Sequence, residues 1–427
     1  MKFIIQPSRL NGSVAIPPSK SHTIRAVFLG LLGEGESRID NPLDSEDTRA
    51  AARAATALGA DVSCEADRWL VRGNGPKPRF AARAVDLANS GTSLRILLGI
   101  GSLCGVGESL TVTGDAQLSA RPAAALLDSL RDLGAAIDAT GESQRPPLVL
   151  RGGLRGGETT IEAKTSQYVT SLMMACPFAE HDSRIVVTSL NEAPYLDITA
   201  EWLRTVGIDL DPGDYTDIRI PGGQTSRTFL RRIPADFSSA TFFLAAGALG
   251  DNDIECRGLD PGDSQPDRKV LEHLAEMGAE VTTTNAGLRV TADRLRGCEL
   301  DLNETPDALP MMAVAACLAD GETVLKNVPH ARIKETDRIA AMTCELRKMR
   351  ANVRELPDGL VVQGGALHGA DVDGHGDHRV VMALAVAGLH ANGTTTVSTA
   401  QAANVTFPEF ADRIRALGGT IEQDGDD

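Results

Sequence analysis

Charge is densest in this 427-residue chain at Arg332-Ile333-Lys334-Glu335-Thr336-Asp337-Arg338, where five of seven residues are ionic. An apolar, helix-forming run, Ile339-Ala340-Ala341-Met342, follows directly. Cations and acids this close at a helix start suit a site that holds an anion and moves a proton. A solvated helix start has the same pattern, so the segment is weighed with others like it. Ser19-Lys20-Ser21-His22-Thr23-Ile24-Arg25 follows Pro17-Pro18 and precedes an apolar run over 26–32. Lys20 and Arg25 then stand at a helix N-terminus, whose backbone N–H groups also favour anions. Asn89-Ser90-Gly91-Thr92-Ser93-Leu94-Arg95 leads into another apolar helix. Small residues around Gly91 let backbone amides approach a ligand, and Arg95 adds a charged fork.

Further residues of this kind recur along the chain. Arg121, before Pro122, opens a helix, where a cation is unfavourable unless an anion is near. Thr165, Ser166 and Gln167 cap another helix and offer hydroxyl and amide donors. Tyr195 offers a ring face to a sugar-like or carbocyclic ligand. Asp307 is a lone acid in an apolar run, and a buried acid needs a partner or a role. Arg379 follows Asp377 and His378 at a helix start, where His378 reads as a hydrogen-bonded structural residue. Lys20, Arg25, Arg95, Arg121, Lys334, Arg338 and Arg379 thus fall at helix starts in an acidic protein, a pattern that predicts a cleft for two anionic ligands.

Composition narrows the partners. The net charge of -16 opposes binding to nucleic acid or to an anionic membrane surface. No apolar run approaches the ~20 residues of a membrane span. The seven cysteines are scattered, with no CxxC pair, as expected of reduced thiols rather than a zinc site or disulfide framework. The N-terminal stretch does not resemble a cleavable leader, so a cytoplasmic location is expected. Aromatics are only 4% of residues, so the core must be built from Ala, Leu, Val and Ile.

The elements that position these residues follow a repeat of about 70 residues. Each copy has a helix ending in Leu-Gly-Ala or a variant, a short strand, a turn and a second strand. Five copies carry Gly at the helix end (Gly59, Gly134, Gly207, Gly278 and Gly418), suited to a left-handed C′ position, and one carries Arg350. The sixth copy is cut short by the C-terminus. With an upstream strand and helix, each unit reads as βαβαββ. The expected fold is therefore α/β (α+β), with six units in two domains and helices packed inside three sheets per domain. One domain is expected from 1–18 with 236–427 and the other from 19–235. The chain would cross between them near 16–19 and 232–236, with the ligand cleft between.

These segments make the chain resemble the enolpyruvyl transferase family, in its shikimate branch. The resemblance runs from Pro17-Pro18-Ser19-Lys20-Ser21 to Thr406-Phe407-Pro408, with signature segments 87–95 and 332–342 intact. It implies the two-domain inside-out βα barrel. It also implies transfer of the enolpyruvyl group of phosphoenolpyruvate to the 5-hydroxyl of shikimate 3-phosphate, with release of phosphate. The resemblance assigns Lys20, Asp307 and Glu335 to catalysis. It assigns Lys20, Gly91, Arg95, Arg121, Gln167, Lys334, Arg338 and Arg379 to phosphoenolpyruvate. Lys20, Ser21, Arg25, Thr165, Ser166, Gln167, Tyr195, Asp307 and Lys334 fall to shikimate 3-phosphate. No metal or organic cofactor is implied, the partners are these small molecules, and a monomer is expected.

Some positions depart from the family pattern. Asn404 and Val405 stand where the family usually has a Lys closing on phosphoenolpyruvate. Glu192 stands where a Ser often meets the substrate phosphate, and Ala235 where Gly is usual. These departures keep open a diverged paralog, a lyase or transferase acting on an unphosphorylated shikimate-like ring. The sister branch acting on a UDP-sugar carries a Cys before its Arg-Pro, and Gln117-Leu118-Ser119-Ala120-Arg121 has none. Intact Lys20, Asp307, Glu335 and Arg338 weigh against a binding module that has lost its chemistry.

Overall fold

The repeat is realised as six small sheets. The computed structural model describes residues 1–139 and 144–425. One copy shows the pattern. Strand Glu299–Asp301 pairs in parallel with Glu322–Lys326 across helix Leu309–Cys317. Glu322–Lys326 then pairs antiparallel with Gly359–Gln363, and that strand with Asn352–Leu356, which follows helix Arg338–Lys348. Among the described residues five sheets have four strands and one has three. In the three-stranded sheet the missing edge is reduced to a bridge, Asp211 to Arg219.

Every copy has one inner and one outer helix. The inner helices are Lys20–Leu32, Gly91–Gly101, Ser166–Ala175, Phe237–Gly247, Leu309–Cys317 and His378–Leu389. Nearly all their residues are buried, as expected of helices that are apolar all round. The outer helices, such as Glu46–Ala57 and Arg338–Lys348, keep one polar face. The five helix-end glycines all have φ between +82 and +98, and Arg350 takes the same left-handed region at φ +64.

Two compact units result: a first unit of Met1–Pro17 with Pro234–Asp427, and a second of Pro18–Ile233. Each holds three sheets and its own core. Their leading strands are exchanged along the chain. Strand Asn11–Ala15 precedes helix Lys20–Leu32 but pairs with Asp253–Arg257 of the first unit. Strand Leu230–Arg232 precedes helix Phe237–Gly247 but pairs with Glu34–Asp40 of the second. The shortened sixth copy is completed by the N-terminus, because Lys2–Gln6 pairs antiparallel with Thr420–Asp424. Phe3, Phe242, Phe243, Phe407 and Phe410 form a cluster of ring contacts in the first core.

One buried histidine, His273, and one half-buried, His390, give the first unit an acid limit. Asn252 accepts the Leu10 N–H on its carbonyl oxygen (2.7 Å), so its amide nitrogen faces His390 Nε2 (3.3 Å) and donates to a neutral ring. His273 Nε2 lies 3.1 Å from Thr305 Oγ1. Burial pushes both imidazoles down to about 4, with Lys269 adding to the effect at His273. The unfolded chain takes up these protons near pH 6.5. The stabilisation is therefore complete above that pH and declines as pH falls toward 4, by on the order of 3 kcal/mol per histidine. Urea unfolding at pH 7.5 and 4.5 checks this. The His273→Gln/His390→Gln double variant should lose markedly less stability between the two pH values than the wild type; an equal loss would rule the histidines out.

Candidate active site

In the second unit, the first turns of the inner helices carry the polar groups. The residues of these three helices that escape full burial are Lys20, Ser21, Thr92 and Gln167, all at N-terminal ends. Gln167 Nε2 donates to Thr92 Oγ1 at 3.1 Å, joining two of these ends. Lys20 Nζ pairs with Asp47 Oδ2 at 3.0 Å. The carbonyl oxygen of Asp47 accepts from Ser90 Oγ (3.3 Å) and Ser93 Oγ (3.2 Å), tying helix Glu46–Ala57 to the Gly91 turn.

Two guanidinium groups converge on Gly91. A methyl group placed there would overlap Nη1 of both Arg95 and Arg121. Arg95 Nη2 donates to the Pro122 carbonyl at 3.2 Å, and Arg121 Nη2 donates to Asn89 Oδ1. Asn89 in turn donates to Asp115 (2.8 Å) and Gln117 (2.5 Å). Arg121 closes the short helix Ala116–Ala120, and the next helix begins only at Ala124, so Arg121 lies in the bend before a helix rather than opening one.

Arg25 is buried and bonded to neutral oxygens: Thr199 Oγ1 (3.0 Å), Ser21 O (3.1 Å), Tyr195 O (3.3 Å) and Thr170 Oγ1 (3.4 Å). Burial lowers its pKa to about 10, an electrostatic strain that a bound anion would relieve. Tyr195 opens helix Tyr195–Thr205, half-buried against the core. Thr165 and Ser166 both donate to Glu192, which therefore points inward.

In the first unit one buried cation organises the acids. Arg338 is 1% exposed and donates through Nη1 to Asp307 (2.6 Å), Nη2 to Glu335 (2.7 Å) and Nε to Asp377 (2.8 Å). Burial opposes its charge, but the three carboxylates outweigh that and hold its pKa well above the usual range. Asp307 and Glu335 keep 19% and 13% of their side chains exposed, so a buried guanidinium presents two accessible acids. Asp307 sits on the short helix Pro306–Ala308 and also meets Arg379 Nη2 (3.2 Å) and Lys334 Nζ (4.0 Å). Arg379 is anchored by Nη1 on the Ser238 carbonyl at 2.8 Å. The structure thus brings together Asp307, Lys334, Glu335, Arg338 and Arg379.

Sequence reading overlooked three supports. Asp377 is fully buried; it caps helix His378–Leu389, accepting from Arg379 N (2.8 Å), and grips Arg338. Its signal was an Asp directly before a helix start. Asp47 and Asn89 act through tertiary contacts that no local pattern announces. Arg332, the first charge of the densest segment, is turned elsewhere. It donates to the carbonyls of Leu356 (2.6 Å) and Pro357 (2.8 Å) and pairs with Asp337 (2.7 Å), the cap of helix Arg338–Lys348. Asn404 and Val405 end a short helix, Ala400–Val405, which carries no basic residue.

Comparison with known proteins adds to this geometry. The family model of EPSP synthase (3-phosphoshikimate 1-carboxyvinyltransferase) matches residues 4–414. The 3-phosphoshikimate 1-carboxyvinyltransferase of Ruminiclostridium cellulolyticum is 44% identical over 418 residues, covering 98% of this chain and 99% of its own. That of Methanocella arvoryzae is 41% identical over 423 residues, with 98% and 99% covered. The solved structure of EPSP synthase from Acinetobacter baumannii superposes with a TM-score of 0.83 at 28% identity, covering 99% of both chains.

Proposed function

Because the chain belongs to the EPSP synthase (3-phosphoshikimate 1-carboxyvinyltransferase) family, we infer that it transfers the enolpyruvyl group of phosphoenolpyruvate to the 5-hydroxyl of shikimate 3-phosphate. Phosphate is released, and the reaction is a step of the shikimate pathway toward chorismate and aromatic amino acids. The observation that carries a chemical role for the site is the pair of accessible acids, Asp307 and Glu335, on one buried guanidinium.

The chemistry needs a base, an acid and a cationic frame. In the proposed sequence Asp307 takes the proton of the 5-hydroxyl as its oxygen bonds to C2 of phosphoenolpyruvate. Glu335 and Lys20 serve the proton that C3 gains and later returns. The tetrahedral ketal then expels phosphate as C3 loses a proton and the double bond reforms. Arg95, Arg121, Lys334 and Arg379, with Gly91 and Gln167, bind phosphoenolpyruvate. Arg338, already committed to three carboxylates, acts chiefly by positioning Asp307 and Glu335. Ser21, Arg25, Thr165, Ser166, Gln167, Tyr195 and Lys334 receive shikimate 3-phosphate. The enzyme is taken to act as a monomer in the cytoplasm. The acidic net charge and seven free thiols support that setting. Among the described residues no helix is long and apolar enough to cross a membrane.

Phosphate release tests the inference. It should require both phosphoenolpyruvate and shikimate 3-phosphate. Equal or better turnover with unphosphorylated shikimate, or none with the phosphorylated ring, would refute it. A sharper expectation concerns Gly91→Ala. The added methyl group must push aside the Arg95 and Arg121 guanidinium tips. Weakened charge-assisted bonds cost about 1.5–3 kcal/mol, so KM for phosphoenolpyruvate should rise about ten- to hundredfold. An unchanged KM in steady-state kinetics would separate the two arginines from that ligand.

A further inference from the structure

The carboxylate of Glu192 sits on donors that an anionic ligand would use. Its Oε2 accepts from Thr165 Oγ1 (2.9 Å), Ser166 Oγ (3.0 Å) and the Ser166 N–H (3.2 Å). Thr165 caps helix Ser166–Ala175 and Ser166 opens it, so the oxygen lies at the positive end of the helix dipole. Two hydroxyls and a helix-start amide are a donor set suited to phosphate. Each of these donors has one hydrogen, and Glu192 holds all three. A phosphate taking them would also meet the like charge of the carboxylate.

The surroundings favour an anion from outside as well. Among the described residues buried Arg25 bonds to neutral oxygens, and its contact at Tyr195 O (3.3 Å) lies in the same turn, where Tyr195 N donates to the Glu192 carbonyl at 3.0 Å. Glu192 itself has left-handed backbone at φ +59, which a Glu ordinarily avoids. The turn therefore dictates the backbone here, and rotation of the side chain is the motion that frees the donors.

We propose that Glu192 is a resident competitor for the ring phosphate: its carboxylate occupies the Thr165–Ser166 donors in the free enzyme and is displaced when shikimate 3-phosphate binds. Residue 192 then sets affinity for the phosphorylated ring. The proposal rests on the reading above, in which the second unit receives that substrate. A binding-competent state that is only partly populated lowers apparent affinity by its population.

Kinetics of phosphate release by the full-length chain test this, comparing wild type with Glu192→Ser and Glu192→Gln. KM for shikimate 3-phosphate should fall roughly tenfold in the Ser variant and less in Gln, whose amide oxygen still competes without charge. KM for phosphoenolpyruvate should move less than about twofold, because the donors that Glu192 takes, on Thr165 and Ser166, belong to the set proposed for shikimate 3-phosphate. Inorganic phosphate, as a competitive probe against shikimate 3-phosphate, should inhibit the Ser variant at roughly tenfold lower concentration. A KM for shikimate 3-phosphate that stays or rises, with phosphate inhibition unmoved, would overturn the proposal and leave Glu192 a structural cap. No release by any of the three proteins would instead overturn the functional reading beneath it. If Glu192→Ser unfolds, the Gln variant, which keeps an acceptor for these donors, carries the comparison.

Discussion

Asp307→Asn should lower kcat by about 10³- to 10⁴-fold while the chain stays folded. Removing a positioned general base costs about 10²–10⁴, and Asp307 has a second proposed duty in holding the substrate hydroxyl. The amide keeps the shape of the carboxylate and can still accept from Arg338 Nη1, now 2.6 Å from Oδ1. What it loses is the negative charge facing Lys334, Arg338 and Arg379. Three cations then have one carboxylate fewer between them, so an anionic substrate meets a stronger positive field. The expected signature is a collapse in kcat with no rise in KM for phosphoenolpyruvate, measured by steady-state phosphate release. The opposite split, with kcat retained and KM raised, would make Asp307 a binding group only.

Arg338→Met should destabilise the first unit by about 3–5 kcal/mol, the cost of breaking a buried ion pair by deleting one partner. Asp377 is fully buried and would lose its cation outright, and Glu335 and Asp307 would lose theirs in part. Arg338→Lys should fall between, because an ammonium keeps the charge but cannot present the fork that reaches three acids. The two tryptophans, Trp69 and Trp202, both belong to the second unit. Their fluorescence therefore follows that unit, while far-UV circular dichroism follows both. In urea, the circular dichroism transition of Arg338→Met should move to lower concentration ahead of the fluorescence transition. A shift below about 1 kcal/mol would show that the acids find other partners.

Much of this organisation was legible in the sequence because it is local. The repeat announced itself through helix-end glycines, and Arg350 took the glycine conformation without the glycine. The α/β architecture and the inner helices followed from apolar runs behind polar first turns. Segment Ser19–Arg25 and the Gly91 turn were placed by the same pattern. The unreadable parts depend on pairings between distant residues. No periodicity reveals that strand Asn11–Ala15 joins Asp253–Arg257, or that Lys2–Gln6 completes the last sheet. Charge density alone could not separate Arg332, spent on the carbonyls of Leu356 and Pro357, from Arg338, which organises the acids. Asp47 was invisible for the same reason, since its contact with Lys20 exists only after folding. Glu192 stood out as a charge in an unexpected place, but its inward direction needed coordinates.

The most direct test of addition and elimination at this site is deuterium entry at C3. The enzyme would be run with phosphoenolpyruvate and shikimate 3-phosphate in D2O, and the methylene carbon of the product followed by nuclear magnetic resonance. A C3 that gains a solvent proton and then returns one should carry deuterium in the product. Labelling should need both substrates and be lost, along with phosphate release, in Glu335→Gln. Product formed with an unlabelled methylene, or labelling undiminished in Glu335→Gln, would contradict the roles given to Glu335 and to the ketal.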